Sequence, residues 1–372
     1  MEWNGNKLKE RIKTNKTSKV QLAKELDVSR QSIDNWIKGQ IPKGKYLINL
    51  CKILKTSPNY FFNETTKDEI FVPVHRTRKK AKITSDMQEA AYNLAKIYAI
   101  FFKSCQNSNI VPVIRACNRE IMSVKQIATT LRNYAKVKSN LPINYNQVFK
   151  LIETLGINLI FYNFPSKIKS YAFYTKIYGH RVVFINNSTN ILDLIFPLLH
   201  EAVHAIRDEY KICDEYDEIE EKFCDNVANY TQFPDDYINL VYNTTVTLTP
   251  AKMINNLKHY SSEYGHSLYG IIIRLKEKFP KFKELKLNVG GADTNLKKNF
   301  PTIGNLFNTP NSIGDYIQDF FNFSPNFARK LLYQLPNISD RKLSELLCVE
   351  SVLDTNLLRK EFVRFGNKLQ RF

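Results

Sequence analysis

The six cysteines (Cys51, Cys105, Cys117, Cys213, Cys224 and Cys348) are scattered and form no CxxC pair. With no secretory leader in front of them, they read as reduced thiols of a cytoplasmic protein rather than as a disulfide framework. Long apolar runs are also missing. Pieces such as "IYAIFF" and "GIIIRL" are core-sized and far short of a membrane span, so no membrane partner is expected. Acidic residues are in deficit: 36 Asp and Glu face 54 Lys and Arg, a formal net charge of +18 that suits a polyanionic partner. What the chain does have is 43% apolar residues, enough for proper cores, and 372 residues, too many for one. Two or three domains are expected.

The charge is unevenly spread. Residues 1–85 carry 19 Lys and Arg against 8 Asp and Glu, whereas residues 200–226 carry 10 Asp and Glu against 3 Lys and Arg. An acidic island inside a basic chain is the mark of a cation site. Two of the six histidines lie in it, in "LLHEAVHAIRDEY" (198–210).

Residues 7–62 read as short helices. Apolar residues recur at helical spacing: Leu22, Ala23 and Leu26, then Ile33, Trp36 and Ile37, then Leu47, Leu50, Cys51 and Leu54. "DVSR" is a turn whose Ser29 can cap the next helix, Gly39 ends that helix and Pro42 forbids its continuation. Two short helices around a tight turn form a helix-turn-helix pattern, with Ser29, Arg30, Gln31, Ser32, Asn35 and Lys38 as the candidate contacts to double-stranded DNA. Gln and Asn can pair with adenine in the major groove and Arg with guanine. "LAKELDVSRQSIDNWIKG" resembles the XRE (Cro/C1-type) DNA-binding domain.

Residues 65–85, with Pro73, His75 and the basic "HRTRKKAK", read as a linker holding one short extended piece. Helices follow over "DMQEAAYNLAKIYAIFFKSC" with Asp86 as cap, "SVKQIATTLRNYAKV" and "NYNQVFKLIETLG". The period then changes, and "INLIFYNF", "SYAFYTKIYG" and "HRVVFINN" read as a small, mostly antiparallel sheet of about three strands.

In the helix that comes next, His200 and His204 project from one face because they stand four apart. With Glu201 between them they form the H-E-x-x-H pattern, in which both histidines hold zinc and the glutamate polarises a water. Zinc needs a third protein ligand and an open position. Glu221 is favoured over Glu218 and Glu220 because Asp225 follows one turn later, where it can accept from the other nitrogen of a liganding histidine. Pro197, three residues before His200, must kink this helix or start it. Tyr171, Tyr174, His180, His259 and His266 are candidate donors to an oxyanion, and the strand "YAFYTKIYGHRVVFIN" is a candidate edge for an extended peptide.

The order of "FVPVHRTRKK", "VFKLIETLGINLIFY", "VVFINN", "HEAVH" and "EKFCDNVANYTQFP" is similar to that of the ImmA/IrrE family of gluzincin-like metallopeptidases, often fused behind XRE domains. The resemblance runs to roughly residue 280. It implies Zn2+ on His200, His204 and Glu221, Glu201 as general base, Asp225 supporting a histidine and Pro234 closing the motif. The sequence departs from the family at Val203, where Gly is usual, at Cys224, where Ala is usual, and at Val227-Ala228 in place of Phe-Ala.

The expected fold is therefore α+β and mainly helical: a helix-turn-helix bundle at 1–64, a linker at 65–85, a metallopeptidase domain with a small sheet at 86–285 and a helical C-terminal extension at 286–372. "NVGGADTNLKKNFPTIGN" (288–305), rich in Gly and Asn, reads as the boundary of that extension. The expected function is a DNA-binding regulator with a zinc-dependent endopeptidase that cleaves a repressor or other specific protein in a stress, mobile-element or phage-related circuit. A homodimer is a further expected partner state. The alternative is a non-proteolytic transcription factor or antitoxin whose metallopeptidase-like domain senses a ligand or binds a partner.

Overall fold

Side-chain caps set several of the helix starts in this computed structural model, which describes residues 2–15, 17–56, 58–63, 70–72, 84–106, 118–207, 217–308, 312–349 and 352–369. "HRTRKKAK", His75, Cys117, Cys213 and the acidic residues 208–216 lie outside the described residues. Cys51, Cys105, Cys224 and Cys348 are free thiols. The chain divides into two units, Met1–Glu69 and Ile70–Phe372.

In the first unit, β1 (Glu2–Trp3) pairs antiparallel with β2 (Phe62–Asn63) and encloses α1 (Gly5–Thr14), α2 (Lys19–Glu25), α3 (Arg30–Ile37), α4 (Gly44–Ile53) and α5 (Pro58–Phe61). Ser18 and Gln21 form a reciprocal capping box on α2, and Ser29 caps α3 as its sequence position implied. Leu8, Leu22, Ile33, Trp36, Leu50, Leu54 and Phe61 fill the core. Gly5 cannot be replaced by a larger residue: a Cβ there would sit 2.1 Å from the Ile37 carbonyl oxygen, so only glycine lets α1 close over the end of α3. The Trp3 indole completes that contact by donating to the Trp36 carbonyl at 2.7 Å.

The second unit is built on a four-stranded sheet in the order β3-β5-β6-β4, from β3 (Ile70–Phe71), β4 (Asn158–Tyr162), β5 (Ala172–Ile177) and β6 (His180–Asn186). The three expected strands are present, and the extended piece of the linker is the fourth. β5 runs antiparallel to β3 and β6, whereas β4 and β6 are parallel. Alternation along β6 sends Val183 and Ile185 to one face and Val182 and Phe184 to the other, and each face has its own core.

The first face carries α8 (Ile121–Tyr134), α9 (Tyr145–Thr154), α10 (Ile191–Arg207) and α11 (Glu218–Gln232). The second is covered by α6 (Ser85–Ile97) and α7 (Ala99–Ser104), a broken helix capped by Thr84 rather than Asp86. Between α11 and the C-terminal helices run α12 (Asp235–Thr245), α13 (Pro250–Tyr264), α14 (Leu268–Lys278), α15 (Pro280–Lys283), α16 (Gly290–Lys297) and α17 (Ile303–Asn308). The last group is α18 (Ile313–Phe323), α19 (Pro325–Gln334), α20 (Asp340–Leu347) and α21 (Val352–Leu369). Their Ile317, Phe320, Phe327, Leu331, Leu343 and Phe362 pack against Phe173, Val182 and Phe184 of the sheet.

The described residues of 286–372 are thus mainly helical, but they form no separate body: α18 to α21 cover the second face of the sheet, Val289, Leu296 and Ile303 join the first core, and all belong to the same unit as the sheet. The stretch read as a boundary is stitched to the start of α10 instead. Asn190 donates to the Lys297 and Phe300 carbonyls, and the Ile191 and Gly304 amides reach the Pro301 and Asn187 carbonyls. Gly304 makes this approach possible, since a Cβ would meet the Asn187 oxygen at 3.2 Å. Of the two expectations for Pro197, starting the helix is excluded: α10 starts six residues before it and runs on past it to Arg207. The proline removes one backbone bond, and burial of α10 between the sheet and α11 outweighs that. Leu194, Ile195, Leu198 and Leu199 are all about 1% exposed or less, each contributing about 1.5–3 kcal/mol.

Candidate metal centre and nucleic-acid interface

Four-residue spacing on α10 and one turn of α11 bring three ligand atoms together. His200 Nε2 and His204 Nε2 are 3.0 Å apart, and the two oxygens of Glu221 lie 3.3 and 3.1 Å from them. Bonds of 2.0–2.1 Å to a tetrahedral ion space its ligands about 3.3 Å apart, so the trio fits a zinc-sized cation. Among the described residues, His200, His204 and Glu221 form a cluster able to hold a metal. His200 and Glu221 are buried and His204 nearly so.

The surroundings orient these ligands. His200 Nδ1 lies 3.0 Å from Asp225 Oδ1, the position the sequence had assigned to Asp225. A histidine that gives its Nδ1–H to a carboxylate presents Nε2 as a lone pair. Burial pushes the His200 imidazole down, but the Asp225 and Glu221 carboxylates and the charge of Glu201 outweigh it and raise it to about 10. The field at this point favours positive charge, as a cation site requires. Glu201 is 3% exposed, and its Oε2 accepts from the Tyr174 amide of β5 at 2.9 Å.

The candidate oxyanion donors are scattered. His180 faces the second core, with Nε2 3.3 Å from the Cys105 carbonyl and its ring beside Phe102. His259 sits on the surface of α13 near Glu263. His266 is fully buried and 2.7 Å from the Tyr237 hydroxyl. Tyr171 is half-buried, its carbonyl accepting from the Asn186 amide. Tyr174 touches the site through its backbone. Two residues that the sequence reading named without a supporting role stand beside the site: Cys224, whose sulfur is 3.7 Å from His204 Nδ1, and Glu220, which Arg207 and Arg119 hold. Position gave the signal for both, since each is one step from a candidate carboxylate on α11.

In the first unit, α3 exposes Arg30 and Gln31, Lys38 is exposed just beyond its end, and Asn35 is half-buried. Ser29 Oγ accepts from the Ser32 amide at 3.1 Å and lies 3.0 Å from the Ser32 hydroxyl, so both serines are engaged in the helix start. Asp34, not foreseen, receives Lys19 of α2 at 2.5 Å, and that hydrogen bond above all holds its carboxyl below the usual range.

Comparison with known proteins bears on the first unit alone. The helix-turn-helix family model, of the XRE type, matches residues 8–61. The match supports a DNA-binding transcription regulator. No curated protein and no solved structure matches the chain. Among the described residues, no helix is long and apolar enough to cross a membrane.

Proposed function

We propose that the protein joins this DNA-binding unit to a zinc-dependent endopeptidase of the ImmA/IrrE type that cleaves a specific protein partner, such as a repressor. The observation that carries the reading is the buried trio of His200, His204 and Glu221 at 3.0–3.3 Å, with Glu201 one residue from the first ligand. His200, His204 and Glu221 hold the ion, and Asp225 orients His200. When bound, zinc supplies Lewis acidity and makes a water acidic near neutral pH. Glu201 takes the proton from the attacking water and passes it to the departing amine. Its tether to the Tyr174 amide keeps the carboxylate in one rotamer while it does so.

The test is Glu201→Gln in the full chain, incubated with candidate repressor proteins from the same genome. The variant retains zinc by elemental analysis and retains DNA binding, while the fragments that mass spectrometry finds with the wild type disappear. Identical fragments from the variant would overturn the peptidase reading. No fragments from the zinc-loaded wild type would favour a ligand-sensing regulator.

A further inference from the structure

The two histidine ligands are supported differently. His200 turns Nδ1 to a carboxylate, Asp225, at 3.0 Å. His204 turns Nδ1 to a thiol, Cys224 Sγ, at 3.7 Å. The same sulfur lies 3.9 Å from Glu220 Oε1. Glu220 is itself fixed: Arg207 donates to it through Nε and, at 3.0 Å, through Nη2, and Arg119 Nε donates at 2.8 Å. Arg119 also reaches Asp217, the cap of α11, at 3.2 Å, and the Arg207 guanidinium lies 4.6 Å from the centre of the Phe223 ring. Cys224 is fully buried among these groups.

Counting protons along this chain gives it a direction. A thiol has one hydrogen to donate and lone pairs to accept with, and a carboxylate between two arginines only accepts. The thiol hydrogen therefore goes to Glu220, and the sulfur accepts from His204 Nδ1–H. A hydrogen on Nδ1 leaves Nε2 with its lone pair, directed at His200 and Glu221. Were the thiol to donate to Nδ1 instead, the imidazole hydrogen would stand on Nε2 and block coordination. Glu220 would also lose a donor.

We infer that Cys224 and Glu220 form a positioning relay, anchored by Arg207 and Arg119, that holds His204 in the Nδ1–H tautomer and so keeps Nε2 open to a divalent cation. This rests on the metal-centre reading given above. Thiol hydrogen bonds are weak, so the effect belongs at the low end of the 10–100-fold range typical of groups that support a metal ligand.

The test uses the full chain labelled with 15N-histidine at pH 8, before and after adding Zn2+, and reads the His204 tautomer from long-range 1H–15N correlations. Zinc affinity is measured alongside by chelator competition. In the wild type, His204 carries its hydrogen on Nδ1 in both states. Cys224→Ala gives mixed His204 tautomers in the metal-free protein and weakens zinc about 10-fold, while the His200 ring signals stay as in the wild type. Glu220→Ala shifts His204 in the same direction by a smaller amount, and it decides the matter should Cys224→Ala fail to fold. A wild-type His204 with its hydrogen on Nε2 overturns the relay. So does an unchanged tautomer with affinity within two-fold in a folded variant. A wild type that holds no zinc, yet loses the Nδ1–H tautomer on Cys224→Ala, sinks the metal-centre reading and leaves the relay standing.

Discussion

Two helices carry the candidate sites of this chain, and they treat polar side chains in opposite ways. α3 buries Ile33 and Trp36 and turns Arg30 and Gln31 to solvent. α10 is enclosed almost all round, and its His200 and Glu201 are 3% exposed. Polar groups on α3 cost nothing while no partner is present, so each acts nearly alone. On α10 every polar group is desolvated and must be satisfied by a neighbour, so the site stands or falls as a set. Mutations in the two helices therefore trade places: on α10 they change stability and metal binding together, and on α3 they change DNA affinity alone.

The largest expected effect tests the enclosed site. His200→Ala removes one candidate ligand and leaves Glu221 buried, and Asp225 partly buried, without the imidazole between them. Breaking a buried charge pair in this way costs about 3–5 kcal/mol, and stoichiometric zinc is lost as well. Urea denaturation followed by far-UV circular dichroism, with chelator present, measures the first effect, and elemental analysis measures the second. Both tryptophans of the chain, Trp3 and Trp36, lie in the first unit. Their fluorescence transition should not move, and a shift of the two signals together would break the comparison.

Somewhat smaller is a pH effect in the second unit. Burial holds His266 down to about 4, with the Tyr237 hydroxyl against Nε2 and Ser261 and Ser267 near Nδ1. The folded state thus keeps this histidine neutral, whereas the unfolded chain protonates it near 6.5. The stability this provides is complete above pH 6.5 and is lost as pH falls towards about 4, up to roughly 3 kcal/mol. His266→Gln should flatten the slope of urea stability over that window, measured in chelator so that metal binding does not contribute. An unchanged slope would show that His266 does not titrate between the two states.

The exposed helix gives the third effect. Gln31→Ala removes one candidate base contact worth about 1–3 kcal/mol of discrimination. Anisotropy with an operator selected from random DNA should show a loss of affinity confined to one base position. Stability should stay within about 0.5 kcal/mol of the wild type. A uniform loss across all sequences would assign Gln31 to the phosphate backbone.

Much of this was legible beforehand, for local reasons. The spacing of His200 and His204, the Ser29 cap and the alternation in "HRVVFINN" are written in a few adjacent residues. What escaped depended on distant partners. Gly and Asn at 288–305 looked like a boundary because their close approach to Asn187 and Asn190 cannot be read locally. Pro197 left open where the helix starts, because the burial that carries α10 through it is tertiary. Cys224 looked like a departure from a pattern, and only the fold brings it beside His204.

The smallest effect concerns a residue that belongs to both sides of the comparison. Ser29 was expected to touch DNA, yet its hydroxyl accepts from the Ser32 amide and caps α3. Ser29→Ala should cost the first unit about 1 kcal/mol, visible as a shift in the tryptophan fluorescence transition. Any loss of DNA affinity should then follow from a frayed helix start. Ser29→Asn separates the two roles, because asparagine caps as well as serine but presents a different edge to a base. If Ser29→Asn restores both stability and affinity, the cap is the whole contribution. Restored stability with affinity still reduced assigns the hydroxyl a direct contact with DNA, and makes Ser29 a position where fold and recognition share one group.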